Sequence, residues 1–526
     1  MNAARERFAA AVVVPIAGVL FLVEFLPAFG DTYGYFLDEF YYLACAKRLA
    51  FGYVDHPPLA PLVLRVNVEL LGDSLPALRL LPALAGALTV VLTGWMAHRM
   101  GGGRVAQTIA ALSLVVSPLP LILFGFFSMN CFEILLWSTA CWVLVEIGRA
   151  GDPRLWVTLG IVLGLALVNK HTAGLLVVGV AVATLATPLR RHALGGWLWL
   201  GALVAALIVL PNIVWQAAND WPSLEFYRNL DRESNIPIGP LAVLGEQIAT
   251  WNPGTLPVWL AGSIFFFSAR GQRYRALGWL FLTLLAIVVV LGKSRPDRIM
   301  GVYPVLFAAG GVLLEGVSRR ERRRWVQYAV PGLLLVTGIL GAPLLLPFSP
   351  ELMARHPLAA GTNDARREVD PAPIPIWFSH RMGSEGFVNE VAAVFEGLSP
   401  AERRDAIVLS GDFAHAGAIE HLGPRHSLPR VFSPHNSYYL WKPEPGLSPS
   451  LVIAIGLDEG LLRKEFGEVE LAALYRCAYC MGWRDDLPIY VARSPRRPLL
   501  ELWPGLKRFG LPTRKLILLG ERDRES

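Results

Sequence analysis

The chain has 526 residues, of which 54% are hydrophobic and only 17% charged, with 48 Lys and Arg against 42 Asp and Glu. Soluble proteins carry about 25% charged residues, so this composition excludes an all-soluble enzyme, a disordered chain and a collagen-like chain. Residues 1–348 contain half of the charges, about 13% of that segment, whereas residues 349–526 are about 25% charged. The sequence therefore predicts a membrane module over residues 1–348 and a small soluble domain over residues 349–526.

Eleven apolar segments of the first module are predicted to cross a membrane as helices, since a crossing needs about 20 apolar residues. Basic residues cluster between these segments, most densely at residues 319–324, and such clusters are typical of cytoplasmic loops. This rule puts the N-terminus inside and residues 349–526 outside, and it accounts for the net charge of +6 without nucleic acid. The predicted segments are residues 9–30, 80–98, 105–124, 131–148, 155–168, 172–188, 197–215, 251–268, 277–292, 299–317 and 326–347.

Two acidic motifs lie in the first outer loop, residues 31–79. Asp38 and Glu39 follow the first segment, close to hydrocarbon, where an ionised group is costly and is usually retained for a task. Burial there raises the pKa of a carboxyl group, so both are candidate general bases, although they could also simply cap the helix that begins at Asp38. Two prolines then hold Asp55 and His56 at the membrane surface, where His56 could contact a phosphate or a metal ion.

Later segments add cations and carboxylates at the same outer face. Each of these residues alone is compatible with snorkelling or helix capping. Together they indicate one outer cavity where Lys and Arg hold phosphate oxygens and a carboxylate takes a proton from a hydroxyl group. The residues are Asn130, Glu133, Lys170, Lys293, Arg295 and Arg298.

Residues 349–526 alternate short β-type runs with a helical pattern, which is typical of a small α/β domain. Strands are predicted at Ile374–Phe378, Ala406–Ser410, Leu451–Gly456 and Pro488–Arg493, and a helix at Phe387–Leu398.

The five cysteines fall into two groups. Cys45, Cys131 and Cys141 lie in apolar segments and are interpreted as small buried hydrophobic residues. Cys477 and Cys480 lie in the predicted outer domain, where a structural disulfide is favoured over a redox-active pair or half of a metal site.

A set of short motifs resembles the polytopic glycosyltransferases of the GT-C fold. The similarity is to the bacterial branch of the protein mannosyltransferase superfamily, which includes the lipid A aminoarabinose transferase and the lipid A galacturonosyltransferases. It covers roughly residues 30–310. It rests on Asp38-Glu39, Asp55-His56-Pro57-Pro58-Leu59, Lys170 and Tyr303-Pro304.

The resemblance implies the GT-C fold. Together with the apolar segments, the basic clusters and the C-terminal pattern, it gives the expected fold class: a polytopic α-helical membrane protein with about eleven transmembrane helices and a small C-terminal α/β domain in the periplasm. It also implies transfer of a sugar from a polyprenyl-phosphate donor to an acceptor hydroxyl of a lipid, glycan or protein at the outer face of the bacterial inner membrane. The anomeric carbon is inverted in this reaction.

Residue roles follow from the same resemblance. Asp38 would be the general base or would orient the acceptor, with Glu39 supporting it. Asp55 and His56 stand where relatives usually show Glu-Lys, and Asn130 stands where many show Asp. No cofactor is required, although Asp38, Glu39, Asp55 and His56 could bind a divalent ion. The donor-binding candidates are Asp55, His56, Asn130, Glu133, Lys170, Lys293, Arg295 and Arg298.

Two other functions stay open on the sequence. A transporter or flippase of a lipid-linked substrate also keeps charges in its membrane part, but it should show internal repeats and helix breaks near mid-membrane. A polysaccharide ligase would also work at the outer face, and the early acidic pair disfavours it.

Overall fold

The computed structural model describes residues 7–233, 237–293, 295–356 and 372–511. The N-terminal module is helical throughout its described part. Its helices are α1 (Ala10–Phe25), α2 (Leu37–Lys47), α3 (Leu59–Leu71), α4 (Leu75–Arg99), α5 (Arg104–Val115), α6 (Pro118–Leu123), α7 (Met129–Ala150), α8 (Leu155–Asn169), α9 (Ala173–Leu185), α10 (Gly196–Ala218), α11 (Pro222–Glu233), α12 (Pro240–Thr250), α13 (Leu256–Phe267), α14 (Arg275–Leu291), α15 (Tyr303–Ser318), α16 (Val326–Leu345) and α17 (Pro350–Ala354).

Within the described residues, seven helices are long and apolar enough to cross a membrane, or eight if α9 and the bent turn after it form one span. Three shorter apolar helices coincide with the third, fifth and eighth predicted segments. Leucines such as Leu203 and Leu207 on α10 are exposed, as expected for a face in contact with lipid. The chain is a multi-pass membrane protein, and the number of eleven crossings stays a prediction.

Glycines let pairs of membrane helices approach to backbone contact. A Cβ atom at Gly160 of α8 would overlap the carbonyl oxygen of Gly201 on α10, and one at Gly310 of α15 would overlap the carbonyl oxygen of Val258 on α13. Small residues at helix crossings replace the hydrophobic driving force that lipid does not provide. These crossings fix α8, which ends just before Lys170, and α15, which begins just after the segment of Arg295 to Arg298.

The C-terminal domain is built on a five-stranded sheet of order β2-β1-β3-β5-β4. Strand β1 is parallel to β2 and β3, whereas β5 is antiparallel to β3 and β4. The predicted α/β class is therefore confirmed. The elements are α18 (Ile376–Ser379), α19 (Ser384–Gly397), α20 (Pro400–Asp405), β1 (Ala406–Ser410), α21 (Phe413–Leu422), β2 (Val431–Phe432), α22 (Ser437–Leu440), β3 (Leu451–Ile455), α23 (Glu459–Glu465), β4 (Phe466–Tyr475), β5 (Leu487–Pro495) and α24 (Leu499–Leu506).

The strand predicted at Ile374–Phe378 is wrong, since the chain forms the short helix α18 there. Proline at position 375 lacks an amide hydrogen for a sheet ladder and is well suited to precede a helix. The apolar residues of the run are buried all the same, because Ile374 and Phe378 pack with Tyr33 and Met353. The apolar character of residues 374–378 therefore reflects their burial and not a β-strand.

The C-terminal domain packs directly on α2, the helix that carries Asp38. Phe40 and Leu43 of α2 share a hydrophobic core with Ile419 of α21. At the closest point a Cβ atom on Gly417 would lie 2.9 Å from the Cβ atom of Phe40. The two helices are therefore in tight contact, and the position of α2 depends on both parts of the chain.

Candidate active site

Glu39 anchors the start of α2. Its Oε2 atom accepts the backbone N–H of Phe36 at 2.7 Å, its Oε1 atom accepts the N–H of Phe127 at 2.9 Å, and Arg79 forms an ion pair with it at 3.4 Å. The side chain is completely buried. The capping interpretation of the sequence thus describes Glu39, which ties α2 to α4 and to the chain before α7.

Asp38, the neighbouring carboxylate, is partly exposed and accepts no hydrogen bond within the described part of the chain. The loss of solvent around this partly buried side chain, together with the negative charges of Asp55 and Glu39, raises the pKa of Asp38 to about 7. A carboxylate that titrates near neutral pH can take up a proton during a reaction at that pH. The two adjacent acids therefore have different environments, and Asp38 is the one suited to proton transfer.

Asp55 faces Asp38 from the second acidic motif. The hydroxyl group of Tyr41 donates to its Oδ1 atom at 2.8 Å, and Nε2 of His56 lies 3.9 Å from the same oxygen. Burial raises the pKa of Asp55, while His56 and the Tyr41 hydrogen bond oppose that shift. The two aspartates form a carboxylate pair in which the charge of Asp55 makes Asp38 harder to ionise.

His56 is buried inside the protein. Its Nδ1 atom is 2.9 Å from the carbonyl oxygen of Pro57, and its ring centroid lies 4.8 Å from those of Tyr42 and Tyr53. Only 1% of the residue is exposed, and burial lowers its pKa. This geometry supports a neutral ring that positions Asp55, and it gives no support to a contact with a donor phosphate.

Lys170 is the centre of a second cluster. Its ammonium group donates to Oδ1 of Asn130 at 2.8 Å and to Oε2 of Glu133 at 2.7 Å, and it lies 3.7 Å from Oδ2 of Asp297. The hydroxyl group of Thr172 donates to the other Glu133 oxygen. Asn130 and Glu133 at the start of α7 therefore meet Lys170 at the end of α8, and Asp297 is an additional member of this cluster.

The segment between α14 and α15 supplies two more cations. Arg295 binds Asp297 through two hydrogen bonds of 2.9 Å, and the Asp297 carboxylate raises the pKa of Arg295. Arg298 follows in the same turn and is half-buried. Lys293 points elsewhere and pairs with Asp231 at 3.3 Å near the surface. Arg295 and Arg298 thus belong to the Lys170 cluster, whereas Lys293 lies at its margin.

Tyr227 of α11 connects the two clusters. Its hydroxyl oxygen is 3.2 Å from Nδ1 of His171. Burial raises the pKa of Tyr227, and the charges of Asp55, Arg295 and Glu133 also act on it, so this phenol lies among them. The sequence offered no signal for Tyr227, because nothing in its spacing distinguishes it from other loop aromatics.

The described residues contain no group of three or more His, Cys, Asp or Glu side chains arranged to hold a metal ion. Of the four residues that could bind one, Glu39 faces Arg79 and His56 faces Pro57. A divalent ion at this site therefore stays a prediction from sequence alone.

Cys477 and Cys480 are joined by a disulfide in the C-terminal domain, the pairing that the sequence favours. The sulfur atoms lie next to Gly383, on the turn before α19. Cys45, Cys131 and Cys141 are buried free thiols. The disulfide is thus distant from the carboxylate pair in sequence and belongs to the domain that packs on α2.

Fold and site together define a membrane protein with the GT-C glycosyltransferase fold. The model of the dolichyl-phosphate-mannose-protein mannosyltransferase family matches residues 55–215. Lipid A galacturonosyltransferase RgtD of Rhizobium johnstonii is 28% identical over 253 residues, which are 47% of this chain and 50% of RgtD. The chain thus matches about half the length of this curated relative.

Solved structures with the same fold come from bacteria and archaea. ArnT from Cupriavidus metallidurans bound to undecaprenyl phosphate has a TM-score of 0.61 at 17% identity, covering 92% of this chain and 98% of that one. The Archaeoglobus fulgidus oligosaccharyltransferase has a TM-score of 0.50 at 12% identity, covering 82% and 65%. The predicted resemblance to this group of transferases is confirmed, and the low identities make the fold the shared property.

Proposed function

We propose that the protein is an integral-membrane glycosyltransferase that moves a sugar from a polyprenyl-phosphate donor to an acceptor hydroxyl group. One observation carries this proposal. Asp38, a carboxyl group whose pKa is about 7, lies in the same site as a cluster of cations around Lys170 and Arg295. Two named relatives support the proposal: RgtD is a lipid A galacturonosyltransferase, which fits a lipid acceptor, and ArnT was solved with undecaprenyl phosphate, which fits a lipid-phosphate donor.

Asp38 acts on the acceptor. Its ionised carboxylate takes the proton of the acceptor hydroxyl group while the acceptor oxygen forms a bond to the anomeric carbon of the sugar. Attack on the face opposite the phosphate inverts that carbon. Asp55 keeps the proton affinity of Asp38 high, and His56 and Tyr41 hold Asp55 in place.

Arg295 and Arg298 act on the donor. As the bond from the anomeric carbon to the phosphate oxygen breaks, negative charge grows on the phosphate, and guanidinium groups stabilise it with charge-assisted hydrogen bonds. Lys170 is already bound by Asn130 and Glu133, and Asp297 lies between Lys170 and Arg295. We infer that Lys170 sets the position of the arginine side chains through Asp297.

The reaction takes place at the outer face of the bacterial inner membrane on this proposal. The basic cluster at residues 319–324 belongs to the cytoplasmic side by the positive-inside rule. The carboxylate pair lies at the other ends of the helices, against the C-terminal domain, which would then be periplasmic.

The test is mass spectrometry of lipids and envelope glycans from cells with and without the gene. We expect one sugar to disappear from one acceptor without the gene and to return with the wild-type gene. Asp31→Asn, a matched loss of an exposed carboxylate from the same loop, should also restore it, whereas Asp38→Asn should not. Identical lipids and glycans in all strains would contradict the proposed function.

A further inference from the structure

A chain of hydroxyl groups links the C-terminal domain to Asp55. Oγ of Ser437, at the start of α22, lies 2.7 Å from the hydroxyl oxygen of Tyr41, which in turn lies 2.8 Å from Oδ1 of Asp55. Ser437 is completely buried and Tyr41 is only 2% exposed. Water therefore does not compete for these hydrogen bonds. The position of the Tyr41 hydroxyl group depends on Ser437, and the position of the Asp55 carboxylate depends on Tyr41.

Counting the available protons shows which hydroxyl group donates in each of these hydrogen bonds. The backbone N–H of Val54 donates to Oγ of Ser437 at 3.1 Å, and the N–H of Ser437 donates to the Tyr41 oxygen at 3.1 Å. An ionised carboxylate can only accept, so Tyr41 uses its single proton for Asp55. The hydroxyl proton of Ser437 is then the one that lies between Ser437 and Tyr41.

The domain that supplies Ser437 is held firmly against α2. Glu420 of α21 pairs with Arg48 at 2.8 Å and accepts the hydroxyl proton of Tyr438 at 2.8 Å. The contact of Gly417 with Phe40 leaves no space for the two helices to move closer. Ser437 therefore has a fixed position relative to Tyr41.

We propose that Ser437 is a positioning residue through which the C-terminal domain orients the Asp55 carboxylate beside Asp38. The C-terminal domain then contributes a residue to the candidate active site. The orientation of Asp55 stands on geometry alone, whereas its effect on turnover rests on the proposed function.

The first test measures the protonation of Asp55 without any turnover. The full-length protein in native membranes is labelled with a carbodiimide, which reacts with protonated carboxyl groups, and the Asp55 peptide is quantified by mass spectrometry across pH. In Ser437→Ala the labelling midpoint should rise by roughly half a unit to one unit, because a bond that favours the ionised form is weakened. The titratable groups that face Asp55 are Asp38, Tyr41, Tyr42, Cys45, His56 and Tyr227.

Matched variants separate positioning from general damage. Ser437→Thr keeps the hydroxyl group and should keep the wild-type midpoint. Ser433→Ala removes an equally buried hydroxyl group of the same domain, one that accepts the N–H of His435, and should leave the midpoint unchanged. If Ser437→Ala does not fold, Tyr41→Phe removes the next hydroxyl group and should raise the midpoint likewise. An unchanged midpoint in the folded variant would overturn the proposal.

The second test uses turnover of undecaprenyl-phosphate-linked sugars by the purified full-length protein. In Ser437→Ala, kcat should fall about tenfold with little change in the KM for the donor, and Ser437→Thr should restore it. If the wild type turns over none of these donors, the proposed function fails, and the labelling result alone decides the role of Ser437. A raised KM with unchanged kcat would overturn the positioning role.

Discussion

The carboxylate pair of Asp38 and Asp55 and the cluster around Lys170 both contain acidic residues, but among the described residues only the acids of the Lys170 cluster are paired with cations. Asp38 and Asp55 face each other, and neither forms an ion pair with Lys or Arg within the described part of the chain. Glu133 and Asp297 each pair with a cation. The surroundings of a carboxylate, and not its presence near a membrane, therefore decide what it can do.

This difference has a chemical consequence. A carboxylate that pairs with a cation holds that cation in place, so Glu133 and Asp297 fix the positions of Lys170 and Arg295. A carboxylate that faces another carboxylate holds a proton near neutral pH, and this suits Asp38 for accepting one. Breaking either arrangement should therefore give a different kind of defect.

The largest effect on activity is expected from a change in the carboxylate pair. Asp38→Asn keeps the size of the side chain and removes its proton affinity, so kcat/KM for sugar transfer should fall about a thousandfold. The protein should still fold, because Asp38 accepts no hydrogen bond in the described structure. Transfer of a radiolabelled sugar by the purified variant measures the effect, with Asp31→Asn as the control. Near-normal turnover would remove Asp38 from catalysis.

In the Lys170 cluster, loss of an ion pair should lower the stability of the protein. Lys170→Met leaves the buried Glu133 without its cation, and loss of one partner of a buried pair typically costs about 3–5 kcal/mol. Thermal unfolding in detergent should show a lower Tm. The double variant Lys170→Met with Glu133→Gln removes both charges and should recover most of that loss. A double variant no more stable than the single one would show that the ion pair is not what stabilises this cluster.

Arg298 provides a test with a smaller expected effect within the Lys170 cluster. Arg298→Ala should weaken the binding of undecaprenyl phosphate about tenfold, the usual order for one hydrogen bond to a charged group. Titration of the purified protein with this lipid measures the affinity. Arg65→Ala, which removes an exposed arginine paired with Glu69, should leave it unchanged. Equal affinities in both variants would exclude Arg298 from the phosphate site.

The smallest effect concerns coupling within the carboxylate pair. Asp55→Asn removes a negative charge that raises the pKa of Asp38, so that pKa should fall. Because Asp38 must be ionised to act, the acid limb of the pH profile of kcat should move to lower pH by roughly half a unit to one unit. An acid limb that does not move would show that the two carboxylates titrate independently.

Much of this site could be predicted from the sequence because polar and ionisable residues at the ends of membrane helices are rare. Asp38, Asp55, Asn130, Glu133 and Lys170 all come from that signal, and the structure brings the last three together. The apolar segments likewise predict the helices, since a lipid bilayer requires long apolar runs.

The remainder could not be predicted, for physical reasons. Which of two adjacent acids is enclosed depends on Arg79 and on the backbone of Phe127, both distant in sequence from Glu39. The bond from Ser437 to Tyr41 joins residues 396 positions apart, so it exists only after the C-terminal domain has packed on α2. Strand β4 was not predicted because it lies at the sheet edge and has mostly exposed side chains.

The role of Asp38 as the proton acceptor is best tested by the pH dependence of kcat in the wild type and in Asp38→Asn. The wild-type rate should fall as pH drops through about 7, because protonated Asp38 cannot accept the acceptor proton. In Asp38→Asn the residual rate should lack this acid limb. The same limb in both proteins would show that another group titrates, and it would contradict the account.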